Sequence, residues 1–334
     1  MPHDIWPDLG LWSNTFGLVI AVIVCLAAFA VSRRPAPTAQ SAAKKPKPSK
    51  SLTFRVDDIP IEHAENFDRN LQSVAELDES LRGAAVPFVR RSLERKDQAF
   101  MCATVLTTTR LSGKELCTRL SQASKDYHYS YSCDFDGITP MFEDVNGVAV
   151  DIIAVPGLGS HALGSWKSTN SDKVWLLDFL PHDVPNIRVL LYGYDTTLPG
   201  SLSKQSIEDL GGTLVERVVA FRARDGALIR ARKRPDGAIA DLAKACYALL
   251  FFGVPNLGLR NDQLRTLVQG QPNEALMHDL LVDNDSEAST FLKRLADQFS
   301  ESCKNHYRVM SFFERMLSPT LEVCHSSTKL MAQV

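Results

Sequence analysis

VAVDIIAV, residues 148–155, runs into Pro156-Gly157-Leu158-Gly159-Ser160-His161, and the reading of the whole chain turns on this junction. A short apolar run closed by a glycine turn is a buried strand. The turn after it can present backbone N–H groups to an anion or oxyanion. Two nucleotide motifs fail at the same place. A dinucleotide fingerprint needs a glycine where Ala162 stands, and a phosphate loop starting at Gly159 would need Lys where Ser165 follows Gly164.

Working outward, the pattern repeats. Ile187–Tyr192 is a second buried strand and leads to Gly193-Tyr194-Asp195. Ala245–Val254, ACYALLFFGV, is a third and ends in Pro255-Asn256-Leu257-Gly258, and Tyr307–Phe313 is a fourth. Ser206 to Phe221 is an amphipathic helix with Ile207, Leu210, Leu214, Val218 and Phe221 on one face, capped by Ser206 with Asp209 three residues on. A further helix spans Glu287–Phe299. Strands alternating with helices predict a parallel α/β sheet over 145–320, with a disordered tail over 321–334.

The stretch 51–136 reads differently. Strands at Ser51–Val56, Phe88–Leu93, Ala99–Leu106 and Tyr127–Cys133, with helices at Glu62–Leu71 and Leu111–Leu120, predict a small ferredoxin-like α+β module. RNA-recognition modules share that order but need stacking aromatics on the central strands. Phe100-Met101-Cys102 gives no aromatic ladder, so the module is read as one for packing or partner binding.

Ahead of it, Leu9 to Ser32 carries no charged side chain, and Phe16 to Val31 is apolar almost throughout. About 20 apolar residues match a bilayer core, so 16–32 is expected to be a transmembrane helix, with 1–15 outside the membrane and Trp12 at its interface. Asp4 and Asp8 precede the run. Arg33, Arg34, Lys44, Lys45, Lys47 and Lys50 follow it in a basic linker over 33–50. The positive-inside rule then places the body on the cytosolic side; an ER or a mitochondrial membrane is compatible with that orientation, and the rule does not choose between membranes. A cleaved signal peptide would carry its positive charges before the run.

With 334 residues, 45% hydrophobic and 23% charged, the chain can bury a core in each of two domains. A net charge of −2 argues against a nucleic-acid protein. The seven cysteines are scattered and form no C-x-x-C pair, which excludes a disulfide framework and a zinc site by spacing. No cofactor or metal motif is present. The partners expected are the membrane and a lipid or protein.

Val150–Trp166, Val174–Asp195, Ser206–Leu210 (SIEDL) and Ala248–Leu259 (ALLFFGVPNLGL) together resemble the serine-active-site-containing protein family, which are lipase- or esterase-like α/β hydrolases with many fungal members. SLTFRVDDIP at the start of the small module resembles what fungal members carry before the hydrolase domain. The resemblance implies a serine on a G-x-S-x-G turn, a histidine after the last strand and an acid after the strand before it. It implies an oxyanion loop at Leu158 and Gly159, and an acid at Glu314.

The chain departs from that pattern. No G-x-S-x-G occurs in it. Phe221-Arg222-Ala223-Arg224-Asp225 runs directly into Gly226-Ala227-Leu228-Ile229-Arg230, as though the nucleophile strand had been excised, and no recognisable strand places a base histidine. His161, His182, His306 and His325 read as structural or solvent histidines, Ser160 as a loop residue and Cys246 as core. The expectation is an incomplete α/β-hydrolase sheet without catalysis, its loop and acid being vestiges. The alternative is a lipid or ester hydrolase whose sequence is incomplete. With the central strand gone, the strands at 148–155 and 245–254 are expected to pair directly.

Overall fold

The computed structural model describes residues 19–25, 49–78, 81, 88–198, 200–223, 235–254, 256, 258–259, 262–282, 289–303 and 307–312. The strands are β1 (Val19–Cys25), β2 (Lys50–Pro60), β3 (Val89–Arg95), β4 (Phe100–Thr109), β5 (Ser130–Ser132), β6 (Gly137–Glu143), β7 (Val150–Val155), β8 (Ile187–Gly193), β9 (Cys246–Phe252) and β10 (Arg308–Phe312). The helices are α1 (Phe67–Leu77), α2 (Gly113–Ala123), α3 (Trp175–Asp178), α4 (Leu180–Asp183), α5 (Ile207–Arg222), α6 (Pro235–Ala245), α7 (Asp262–Val268), α8 (Glu274–Leu280) and α9 (Thr290–Cys303). They form a mixed α/β protein on two sheets.

The first sheet has the order β3-β4-β2-β5, antiparallel throughout. Its strand–helix–strand–strand–helix–strand succession is the one the sequence pattern predicts. Alternation puts Phe54 and Val56 of β2 on one face. A register shift at Asp58, whose φ is +58°, brings Ile59 onto the same face. They pack with Phe67, Leu71 and Val74 of α1, Ala103 and Val105 of β4, and Leu116 and Leu120 of α2, all essentially excluded from solvent.

The second sheet has the order β10-β9-β1-β7-β8-β6. The five strands from β10 to β8 are mutually parallel, and β6 closes the edge antiparallel to β8. On β7, Ile152 and Ala154 meet Ile187, Val189 and Leu191 of β8 in a core shared with Trp166 and Leu176. On the other face Ile153, Val155, Leu190 and Tyr192 meet Val218 and Phe221 of α5. Helix α5 begins where expected, with a capping box in which Ser206 and Asp209 bond each other's backbone N–H. Strand β6 is absent from the sequence reading because Pro140 interrupts it. An edge strand tolerates that proline, and the register shifts beside it.

Strand β1 bears on two expectations, and it overturns the direct pairing of β7 with β9. Where a membrane helix is expected over 16–32, Val19–Cys25 forms a parallel strand, while 16–18 and 26–32 lie outside the described residues. The strands β7 and β9 do not pair directly. Strand β1 lies between them, with Val22 level with both Ile153 and Leu249. One physical reason lies behind both observations. VIAVIVC is dominated by β-branched residues, which suit a strand. A parallel strand buried on both faces has the composition of a membrane span, so apolarity alone does not separate them. Pairing on both edges also satisfies the backbone groups that a missing strand would strand in the core. Among the described residues no helix is long and apolar enough to cross a membrane.

The two sheets are joined by arginines. Arg55 of β2 donates to the Asp136 carbonyl at 2.7 Å and to Thr139 Oγ1 at 2.8 Å. Arg91 of β3 puts one guanidinium nitrogen 2.7 Å from both carboxylate oxygens of Asp178. Burial pushes the Asp178 carboxyl up, but the Val174 N–H and the guanidinium of Arg91 outweigh it and hold the group below the usual carboxylate range.

Candidate functional site

Ligand crevices in parallel sheets open at the carboxyl ends of the strands. Here β7 leaves through Pro156-Gly157-Leu158-Gly159-Ser160 and β8 through Tyr194-Asp195-Thr196. The two loops are stitched together. Gly159 N–H donates to the Thr196 carbonyl at 2.6 Å, Thr196 Oγ1 donates to the Ser160 carbonyl at 2.6 Å, and the Tyr194 hydroxyl donates to the Pro156 carbonyl at 3.1 Å. Gly159 has φ +69°, a conformation glycine adopts without strain. Gly193 is required for another reason. A Cβ there would fall 2.0 Å from the Phe135 carbonyl oxygen, because the connector from the first sheet crosses over the end of β8.

Between these loops, the connector and α5 lies a cleft of about 830 Å³. Asp134, Asp136, Tyr192, Asp195, Thr213 and Arg217 supply its polar wall. Desolvation raises the Tyr192 phenol, and nearby Asp136 adds to it, while Arg217 acts in the opposite direction. Burial pushes the phenol of Tyr194 further up.

The expected vestiges of hydrolase chemistry fall as follows. Leu158 does not line the cleft but packs against the cluster of Leu198, Leu264, Val268, Met277 and Leu281. Gly159 lines it, yet its N–H is spent on Thr196. Glu314 lies outside the described residues, as do His306 and His325. His161 lies on the cleft wall, and both ring nitrogens are engaged: Nε2 donates to the Cys133 carbonyl at 2.7 Å and Nδ1 accepts the Gly164 N–H at 3.0 Å. These partners fix one neutral tautomer. Ser160 lines the cleft beside it, with no hydrogen bond between the two side chains. His182 sits exposed on α4, ahead of the amino end of β8 and away from the cleft. Cys246 opens β9 at the level of Ile20 and Asp151, likewise at the opposite end of the sheet. The turns at Gly157–Gly159 and Gly253–Gly258 share one rim, as parallel strands require, but β1 keeps them two strand spacings apart, about 10 Å. No described group of three His, Cys, Asp or Glu side chains could hold a metal ion.

At the amino end lies a buried ion pair that no sequence motif marks. Asp151 and Arg188 are direct cross-strand partners, bonded at 2.6 and 2.9 Å and 0% and 2% exposed. Arg222 approaches the same carboxylate at 3.5 Å, and the Arg188 guanidinium lies over the Phe221 ring at 5.3 Å. The signal was present as a single acid in VDIIAV and a single base in IRVLL. No protein-family model, curated protein or solved structure matches the chain.

Proposed function

We propose that this chain is a hydrolase-type protein that acts by binding, not by ester cleavage, with its cleft at the carboxyl ends of β7 and β8. The reading is supported by the resemblance described above and by a sheet in which β1 lies between β7 and β9, where that resemblance implies a nucleophile strand. One observation carries it: the two groups best placed for acyl chemistry, the Gly159 N–H and the His161 imidazole, are both consumed by internal hydrogen bonds. A serine nucleophile needs a neighbouring base and a presented hydroxyl. Ser160 has the hydroxyl beside an imidazole already committed on both sides. The ligand is a lipid or a protein segment. A fluorophosphonate probe applied to the purified chain should leave it unlabelled. Stoichiometric labelling that disappears in Ser160→Ala would refute the reading.

A second proposal concerns placement. The charge-free run and the six basic residues after it favour a single-span anchor through 16–32 with the body on the cytosolic side. Val19–Cys25 cannot pair with β7 and β9 and cross a bilayer at once, so anchoring and completion of the sheet are alternative states of one segment. Carbonate extraction separates them. Retention in the membrane pellet supports the anchor, and release into the supernatant supports the strand.

A further inference from the structure

Two of the scattered cysteines meet. Cys117, buried on the inner face of α2, and Cys133, half-buried just after β5, have their Sγ atoms 3.0 Å apart. The packing around them leaves room for the pair. The first residue of α2 is Gly113, and a Cβ there would fall 2.8 Å from Cys133 Sγ. Cys133 also belongs to the connector between the two sheets. Its carbonyl receives the His161 hydrogen bond, and Phe135, fully buried two residues on, packs edge-on against the same imidazole.

We propose that Cys117 and Cys133 form a reversible disulfide that ties α2 to the connector supporting His161. A disulfide needs the sulfurs at about 2.05 Å, so they must close by only about 1 Å. The two thiols are not equivalent. The hydrogen bond between them pushes the Cys117 thiol up, with burial adding to it, and the same bond holds Cys133 below the ordinary thiol value. Cys133, the more exposed of the two, is the thiol that an oxidant in solution reaches first, and Cys117 is the resolving thiol. The oxidant is a low-molecular-weight disulfide such as oxidised glutathione. Cys133 thiolate attacks one of its sulfurs and expels a glutathione thiolate. Cys117 gives up its proton, attacks Cys133 Sγ and expels the second. Two protein thiols become one disulfide, and one glutathione disulfide becomes two glutathione molecules.

The test uses the full chain, incubated with oxidised glutathione, alkylated, digested and mapped by mass spectrometry without reduction. The expected result is one linked pair of peptides containing Cys117 and Cys133, loss of alkylation at both, and return of both alkylations after dithiothreitol. Hydrogen exchange across 133–143 should slow in the oxidised form. Cys133→Ser should abolish the linked pair, and Cys102→Ser should leave it. Free alkylation of both residues in the native oxidised sample, or their linkage to other cysteines instead, would overturn the proposal.

Discussion

The four-stranded sheet is made from one continuous stretch, Lys50 to Ser132, whereas the six-stranded sheet takes an interior strand from the far N-terminal side of the chain. The first closes with neighbouring segments, so its core forms from contacts of short and moderate sequence separation. The second cannot pair β7 with anything on its β1 side until Val19–Cys25 arrives across the whole intervening module. Closing a longer loop adds little to the equilibrium cost, which grows only logarithmically with length. It slows assembly, because the ordering cost precedes the reward. The sheets should therefore fail separately, and the second should fail first when its N-terminal strand is taken away.

The largest expected effect follows from Val22→Pro. Proline in an interior strand cannot donate to the ladder, and each buried backbone group left without a partner costs about 1–3 kcal/mol. Hydrogen exchange should show β7 and β9 losing protection while β2 and β4 keep theirs. Equal loss in both sheets would show that they are one cooperative unit.

Single core deletions sharpen the same contrast. Asp151→Ala leaves Arg188 buried without its main partner and should cost about 3–5 kcal/mol. Phe54→Ala removes a fully buried ring from the first sheet and should cost about 3–5 kcal/mol there. Chemical denaturation monitored at each sheet should assign each loss to its own transition. A single shared transition for both variants would show that the two sheets unfold as one unit.

The junction is weaker. Arg91→Ala removes a charge-assisted pair between the sheets and should cost about 1–3 kcal/mol. The same contact gives a pH dependence. Asp178 is held below its ordinary value of 3.8, so its contribution is fully present above that value and is lost as pH falls through the depressed one. Acid titration should loosen the junction in the native chain, and Arg91→Ala should show a smaller change over the same range. An identical acid profile in both would remove Asp178 from the account. The smallest effect is local. Ser206→Ala should lower stability by about 1 kcal/mol through loss of the α5 cap, without altering the first sheet.

Periodicity and turn chemistry placed most of the described elements within a few residues. VAVDIIAV, Ile187–Tyr192 and ACYALLFFGV are strands, and Ser206 caps a helix as its spacing with Asp209 predicts. The site was less legible. The pattern put Gly159 and His161 at a strand end, but no sequence signal states that Thr196 and Cys133 consume their hydrogen-bonding groups. The meeting of Cys117 with Cys133 was equally hidden, since spacing rules recognise adjacent motifs and not side chains brought together by a helix and a strand.

By itself the sequence determined where apolar runs and turns lie, the capping of α5, the alternation that makes a parallel sheet and the absence of a G-x-S-x-G turn, because each of these is a property of neighbouring residues. Tertiary structure alone decided what VIAVIVC becomes. A strand buried on both faces and a membrane span both demand unbroken apolarity. The choice between them depends on whether two unpaired strand edges are waiting, and here β7 and β9 supply them.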